Sequence, residues 1–416
     1  MLTREYPPDA TAVGQYVESV AVRLATRGHA VTVYTADRDN ENPTIRYEST
    51  SRHPGVRVVR LPWTGFGKRT IAHRLLGQAS YLLQLFFRLL FKRGVDGLVL
   101  TTAPPTIGIL YLALRVFRRY PALYWVMDVN PEQAVVMGVF RENSLPVRLL
   151  RWCNRHLCRC VDRIVVLDRF MGERLRTKDE GLRTKDEGQR TKESDLRPTT
   201  ILPPWPLEKT LHAVPREENG FLKEHGLEEK RCVFMYSGNH SPVHPLETLL
   251  GAIGRVRDRE DLAFLFIGGG GGKEAVERLI AKEPAGGRGM VRSLPYQPLE
   301  RLSESLSAAD VQIVVMGEAM VGLVHPCKIY GAMAVGRPVL FIGPRESPHG
   351  DLVAEHGFGW VVGHGEMERL AGLIGEISAL PRAEREAIGA RGRAVLEKEY
   401  NPDRLAGAFC ELVEEL

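Results

Sequence analysis

The chain has 416 residues, 44% of them hydrophobic and 26% charged, a composition suited to a globular protein but a length too great for one ordinary core. Its six cysteines follow no secreted disulfide framework and no signal peptide is read at its start, so a reduced, cytoplasmic compartment is the expectation. Residues 1–206 hold 32 Lys and Arg against 20 Asp and Glu, and residues 207–416 hold 24 against 31, so the first half suits an anionic partner: nucleic acid, an anionic membrane face, or a diphosphate-linked molecule on one.

Met1 to Pro8 reads as the exit of a strand, and a start displaced from the true one is expected. Gly14 opens a helix to Thr26 with apolar Val17, Val20, Ala21 and Leu24. Strands follow at 30–34 and 56–61. Residues 65–93 carry six Lys and Arg and no acid, and Leu75 to Phe87 is uncharged. That run is shorter than the about 20 residues a membrane span needs. On a helix, Arg74, Gln78, Tyr81, Gln84, Arg88 and Lys92 share one stripe beside a wide apolar face, which fits either a helix lying in a membrane interface or one facing the core. Strands at 97–102, 122–127 and 163–167 alternate with helices at 106–119 and 145–160, the pattern of a parallel, doubly wound sheet. Cys153, His156, Cys158 and Cys160 match no common zinc spacing, and no metal is expected. Residues 175–195 repeat Leu-Arg-Thr-Lys-Asp-Glu-Gly nearly three times, a low-complexity insertion given no function. Leu202-Pro203-Pro204-Trp205-Pro206 reads as a linker, giving domains at 1–206 and 207–416, with the last helix expected to pack back on the first.

The second half repeats the plan: strands at 232–236, 262–267, 290–294 and 311–315, and helices at 246–256, from Lys273, at 299–308, 382–398 and 402–416. The glycines 268–272 allow backbone to approach a phosphate at a helix start, or make a plain flexible turn. Asp128 and Glu132 lie just past a strand end, where catalytic carboxylates collect, although capping after a proline is the alternative. Gly238, Asn239, His240 and His244 share a loop at the corresponding edge of the second sheet. The stretch 316–343 reads as a loop with Glu318, Gly322 and Lys328, a small-residue helix, a stop at Gly336 and a buried strand, an arrangement able to hold a phosphorylated, hydroxyl-rich ligand.

Tyr236-Ser-Gly-Asn-His240, Phe266-Ile-Gly-Gly-Gly270, Ala309-Asp-Val311 and His325-Pro-Cys-Lys-Ile-Tyr-Gly-Ala-Met-Ala-Val-Gly-Arg-Pro338, in this order, resemble glycosyltransferase family 4, in the subgroup that builds bacterial surface polysaccharides. The resemblance implies a GT-B fold, α/β, with two Rossmann-like domains facing across a cleft. It implies a retaining transfer from a nucleotide-diphosphate sugar, without metal or cofactor. The first domain would bind the acceptor, polyprenyl-diphosphate-linked or glycan, at Asp128 and Glu132, on the inner face of the plasma membrane and docked through 65–93. The second would bind the donor: Tyr296 and Gln297 by the base, Gly238 to His240, His244 and Gly268, Gly269 and Gly270 by the donor, Glu318 at the sugar, and Gly322, Leu323 and Val324 on the diphosphate. Gly14 would approach that phosphate from the first domain. Many members have an Arg and a Lys where Asn239 and His244 stand, and a second glutamate, on the ribose, where Gly331 stands. Lys328 is expected to supply the missing cation, so Glu318, Lys328 and Asp128 are the expected catalytic residues. A nucleotide-sugar epimerase of the same fold and a non-catalytic sugar-nucleotide-binding protein are the alternatives, and a nucleic-acid partner is not expected because no aromatic platform interleaves the bases.

Overall fold

A computed structural model describes residues 1–9, 11–39, 42–48, 54–65, 71–180, 197–207, 211–281 and 291–416. Most of the tandem repeat, and residues 66–70 of the basic stretch, lie outside them. The chain divides into two compact units: Met1–Leu207 with Gly322–His325 and Pro402–Leu416, and Glu208–Val321 with Pro326–Asn401.

In unit 1, α1 (Ala12–Thr26) leads to β1 (Val31–Ala36) and β2 (Val56–Leu61), which pair in parallel. Then come α2 (Ile71–Phe91), β3 (Leu98–Thr101), α3 (Ile107–Phe117), β4 (Ala122–Val126), α4 (Glu132–Val136), α5 (Leu145–Cys160), β5 (Arg163–Val166), α6 (Arg169–Glu180) and β6 (Thr199–Ile201). Strands β3 to β6 lie side by side in chain order, all parallel. Leu2 forms parallel bridges to Tyr34 of β1 and Leu100 of β3. β3 and β4 are buried along their whole length, which is why they read as continuous apolar runs. Thr11 caps α1 by accepting from the Gly14 N–H, and the buried residues of α1 recur at helical spacing. Helices α2, α3 and α5 lie side by side. Trp125 and Trp205 stack at 6.1 Å between centroids, and the Tyr16 hydroxyl donates to Trp205 O at 2.8 Å.

Unit 2 contains α7 (Gly220–Glu224), β7 (Cys232–Ser237), α8 (Glu247–Arg255), β8 (Leu262–Ile267), α9 (Lys273–Ile280), β9 (Val291–Leu294), α10 (Leu302–Ser307), β10 (Val311–Val315), α11 (Lys328–Ala334), β11 (Val339–Ile342), α12 (Pro348–His356), β12 (Gly359–Val362), α13 (Met367–Ala379) and α14 (Arg382–Glu399). Its parallel strands run β12-β11-β10-β7-β8-β9. Phe234, Phe264, Ile313 and Leu340 fill its core with Leu249, Ile253, Leu370 and Ile374 from α8 and α13. The last helix, α15 (Pro402–Glu414), belongs to unit 1 and packs on α1.

Two expectations are corrected. The polar stripe of α2 does not lie together on the surface. Tyr81 is fully buried with Leu85 and Leu89, and its hydroxyl donates to Tyr34 O at 2.9 Å. A tyrosine can turn inward whenever its one polar atom finds a partner. Residues 299–308 are not one α-helix: Leu299–Arg301 form a 3-10 turn after Pro298 before α10 begins.

Candidate active site

In unit 2 the strand order turns back between β7 and β10, and doubly wound sheets take their ligands beyond the C-terminal ends of such a pair. Gly238 follows β7 with φ +123°, and Gly268 and Gly270 follow β8 with φ +127° and +114°, backbone that favours glycine. A Cβ on Gly268 would overlap Gly238 O, and one on Gly270 would overlap Asn239 Oδ1. The two loops are laced together: His240 N donates to Gly269 O at 2.7 Å and Gly272 N to His240 O at 2.8 Å. Lys273 fixes them from below, its ammonium donating to Gly268 O at 2.7 Å and Leu294 O at 2.9 Å. The Tyr296 ring lies over Gly268 and Gly269, with carbons 3.2–3.3 Å from where their Cβ atoms would stand.

Lys328, the first residue of α11, reaches the same place. Its ammonium donates to Asn239 O at 3.0 Å, hydrogen-bonds the Tyr236 hydroxyl, and sits 3.8 Å from the Tyr236 ring centroid. Burial lowers its pKa to about 7, and an anion placed beside it would restore its proton affinity. His240 and His244 lie close by. Burial first, and the Lys328 charge after it, lower His240 to about 4 and His244 to about 3 against backbone hydrogen bonds that pull the other way, so both rings are neutral. His240 Nε2 and His244 Nδ1 are buried with no hydrogen-bond partner among the described residues. Of Lys328, His240 and His244, therefore, Lys328 alone holds a proton near neutral pH, about half of the time at pH 7. Glu318 opens a short 3-10 turn past β10, exposed, after Gly317 N donates to Val243 O at 3.0 Å. Gln297 donates to Pro295 O at 3.0 Å. Gly331 lies on α11, where a Cβ would meet Leu306 at an ordinary 3.4 Å.

The other expected residues belong to unit 1. Asp128, one step past Met127 at the end of β4, lines a cavity of about 290 Å³ with Arg4, Glu5, Arg38, Gln78 and Gln133. Burial raises its carboxyl to about 6. Glu132 is engaged instead with Arg151, whose Nε donates at 3.1 Å. Gly14 is buried, and a Cβ there would come within 3.0 Å of the Tyr6 backbone, so close packing explains the glycine. Gly322 has φ +70°, Leu323 O accepts from Val129 N at 2.8 Å, and Val324 is buried. His325 Nδ1 lies 2.8 Å from Asp168 Oδ2, and the other Asp168 oxygen accepts from Met171 N.

Unit 2 thus brings together Gly238, Asn239, His240, His244, Gly268, Gly269, Gly270, Tyr296 and Lys328, while Gly14, Asp128, Glu132 and Gly322 to Val324 lie in unit 1. The sequence reading missed Tyr236, Lys273, Arg4 and the His325–Asp168 pair. Tyr236 and Lys273 carried a signal, since each borders a glycine turn. The pair, 157 positions apart, carried none. Cys153, Cys158 and Cys160 are free thiols on α5, and no group of three His, Cys, Asp or Glu among the described residues is placed to hold a metal.

The model of the glycosyl transferase 4-like domain matches residues 11–183, and that of glycosyl transferases group 1 matches residues 218–412. The chain is 30% identical over 341 residues to "Probable glycosyltransferase WbjE" of Pseudomonas aeruginosa, covering 80% of this chain and 79% of the relative. It is 24% identical over 346 residues to "Putative colanic acid biosynthesis glycosyl transferase WcaI" of Escherichia coli (strain K12), covering 80% and 79%. In fold it is similar to Anabaena Alr3699/HepE in complex with UDP and glucose, with TM-score 0.68 and 14% identity over 100% of this chain and 99% of that one. The two matched domains, the parallel sheets and the 30% identical relative place the chain in glycosyltransferase family 4 of the GT-B fold, with enzymes of the bacterial surface-polysaccharide type.

Proposed function

We propose that this glycosyltransferase moves a hexosyl or N-acetylhexosaminyl group from a UDP-linked donor, with retention of configuration, to a polyprenyl-diphosphate-linked or glycan acceptor at the cytoplasmic face of a membrane. The observation that carries the reading is the meeting, at one edge of the unit 2 sheet, of bare glycine turns, Tyr296 above them, and Lys328. Glycine lets a phosphate oxygen come close to the backbone, and an ammonium beside it answers the charge that grows on a diphosphate leaving group. In this reading Tyr296 and Gln297 stand by the base and Glu318 meets the sugar hydroxyls. The complex of Anabaena HepE with UDP and glucose supports a uridine donor.

Asp128 is the acceptor group of this reading. A buried carboxyl that titrates at about 6 is largely ionised at neutral pH and can accept a hydrogen bond from an acceptor hydroxyl. The donor phosphate itself takes the acceptor proton as the sugar departs on the same face, so the protein's work is positioning and charge stabilisation. No metal or cofactor takes part in this scheme. The test is incubation with a panel of UDP-sugars and a membrane lipid extract, read by product mass. A lipid product of added hexose or N-acetylhexosamine mass supports the proposal. Interconversion of UDP-sugars would make the protein an epimerase, and UDP binding without turnover a non-catalytic binder.

A further inference from the structure

Unit 1 includes one short stretch that the chain reaches only from unit 2. Gly322–His325 belongs to unit 1, while Glu208–Val321 before it and Pro326–Asn401 after it belong to unit 2. Three contacts hold the stretch. Leu323 O accepts at 2.8 Å from the N–H of Val129, the residue after Asp128. Gly322 lies against the start of α6, where a Cβ would stand 2.6 Å from Phe170 O and 2.7 Å from Arg174 Cγ. His325 Nδ1 meets Asp168 Oδ2 at 2.8 Å, and the two side chains are 4% and 8% exposed. A carboxylate only accepts, so Nδ1 of the ring carries the proton. The other oxygen of Asp168 accepts from Met171 N at 2.8 Å in the first turn of α6, so one carboxyl group sets both the helix start and the histidine. Immediately beyond His325 the grip changes. Pro326 O accepts from His349 Nε2 of α12 at 2.7 Å, and that ring is buried and stacked on Phe341. Lys328 stands two residues further on. One hydrogen bond, from Val129 to Leu323, and the short run from Leu323 to Lys328 thus connect Asp128 with the lysine. Apolar side chains would fill the place of His325 and Asp168 at no loss of stability. What a buried polar pair adds is a fixed direction and register.

We infer that His325 and Asp168 are positioning residues for sugar transfer: their hydrogen bond locks the 322–325 strap, and the strap keeps Lys328 in line with Asp128 while the sugar moves. The inference rests on the reading of Lys328 as the cation on the donor diphosphate and of Asp128 as the group on the acceptor hydroxyl. Donor binding does not need the pair, because Asn239 O and the Tyr236 hydroxyl hold the Lys328 ammonium on their own. Breaking the pair therefore costs turnover and spares UDP affinity. A misplacement of about 1 Å, introduced away from the chemistry, lowers a rate roughly a hundredfold.

The test uses His325→Ala and Asp168→Ser in the full chain, the serine hydroxyl keeping the cap on α6 while removing the partner of the histidine. Calorimetry with UDP should give both variants an affinity within about threefold of wild type. Steady-state transfer from the UDP-sugar that the panel identifies, with the membrane lipid extract as acceptor, should show kcat lowered roughly 30-fold to 100-fold and the donor KM little changed. The double variant should lose no more than the worse single one, since each removes the same bond. His325→Asn places an amide N–H in reach of Asp168 and should recover at least about tenfold of the lost turnover. Hydrogen exchange read by mass spectrometry should quicken at least about tenfold at the Val129 amide in His325→Ala, return to the wild-type rate in His325→Asn, and stay unchanged in the core strands of unit 1. The inference is overturned by an unchanged kcat, by UDP affinity that falls in step with kcat, by failure of the asparagine to restore turnover, or by exchange that rises throughout unit 1, the mark of a pair that only stabilises the fold. A wild-type chain that binds UDP and transfers no sugar removes the acceptor reading, and the exchange at Val129 alone then decides whether the pair locks the strap.

Discussion

Replacing Lys328 by methionine keeps the length of the side chain and removes its charge, so it separates the two things this lysine does. In the folded protein the ammonium has Asn239 O and the Tyr236 hydroxyl as partners and, among the described residues, no carboxylate in ion-pair reach. Its fall from 10.5 to about 7 corresponds to a burial cost of up to about 5 kcal/mol. Losing the two hydrogen bonds offsets about 1–3 kcal/mol of that. The variant should therefore melt no lower than wild type. The sign with pH follows from linkage: between about 7 and 10.5 the unfolded chain binds the proton that the folded chain has lost, so wild type gains stability as pH rises through that window. The advantage of the methionine variant should be largest below pH 7 and shrink above it. Donor binding should move the other way. A charge-assisted contact to a diphosphate is worth about 1.5–3 kcal/mol, a loss of roughly tenfold to 150-fold in donor affinity. Calorimetry with UDP and thermal melts from pH 6 to 9.5 read both quantities. A variant with unchanged stability and an unchanged UDP affinity would refute the assignment of Lys328 to the diphosphate.

Four further outcomes are expected. Wild-type UDP affinity should fall as pH rises above about 7, because the free enzyme loses the Lys328 proton before the complex does, and titration calorimetry should show the Lys328→Met variant flat over the same range. For Asp128→Asn, burial holds the native carboxyl at about 6 rather than 3.8, so wild type loses stability as pH rises between those values, and the variant should overtake it in melts by up to about 3 kcal/mol above pH 6 while transfer to acceptor drops. Gly268→Ala forces a side chain into a φ of +127° and against Gly238 O, costing at least about 1–3 kcal/mol in denaturant melts and UDP binding with it. Gly331→Glu has room beside Leu306, and it should tighten UDP by up to about tenfold, the worth of one charge-assisted hydrogen bond, while leaving pyrophosphate binding unchanged.

Buried parallel strands were plain in the sequence because both of their faces are apolar: Cys232–Ser237 and Leu262–Ile267 admit few other readings. So were the glycine turns, where a positive φ leaves little choice of residue. The segment from Gly343 to Pro381 was passed over, although it holds α12, β12 and α13. There β12 has four residues, three of them only half-buried, and α12 is short and weakly amphipathic. Tyr81 was misjudged because a hydroxyl counts as polar in a pattern and not in a core where it is satisfied. The expected Lys328 gained its setting only from the fold, since Tyr236 lies 92 positions away and no local pattern announces the pair. Asp128 and Glu132 look alike in sequence, yet only one of them is held by an arginine.

The last helix has a bearing on how the protein is made. α15 sets Phe409 within 4.1 Å, centroid to centroid, of Trp125, and Asp403 and Glu414 on Arg23 and Arg27 of α1. A ribosome delivers α1 and β4 long before it delivers α15, so for most of synthesis one side of the Trp125 cluster waits without its cover. Unit 2, whose residues fall between these two stretches, can close first. The chain thus finishes unit 1 with a segment made after unit 2, and a ribosome stalled before Pro402 would hold a polypeptide whose aromatic core is still open to chaperones.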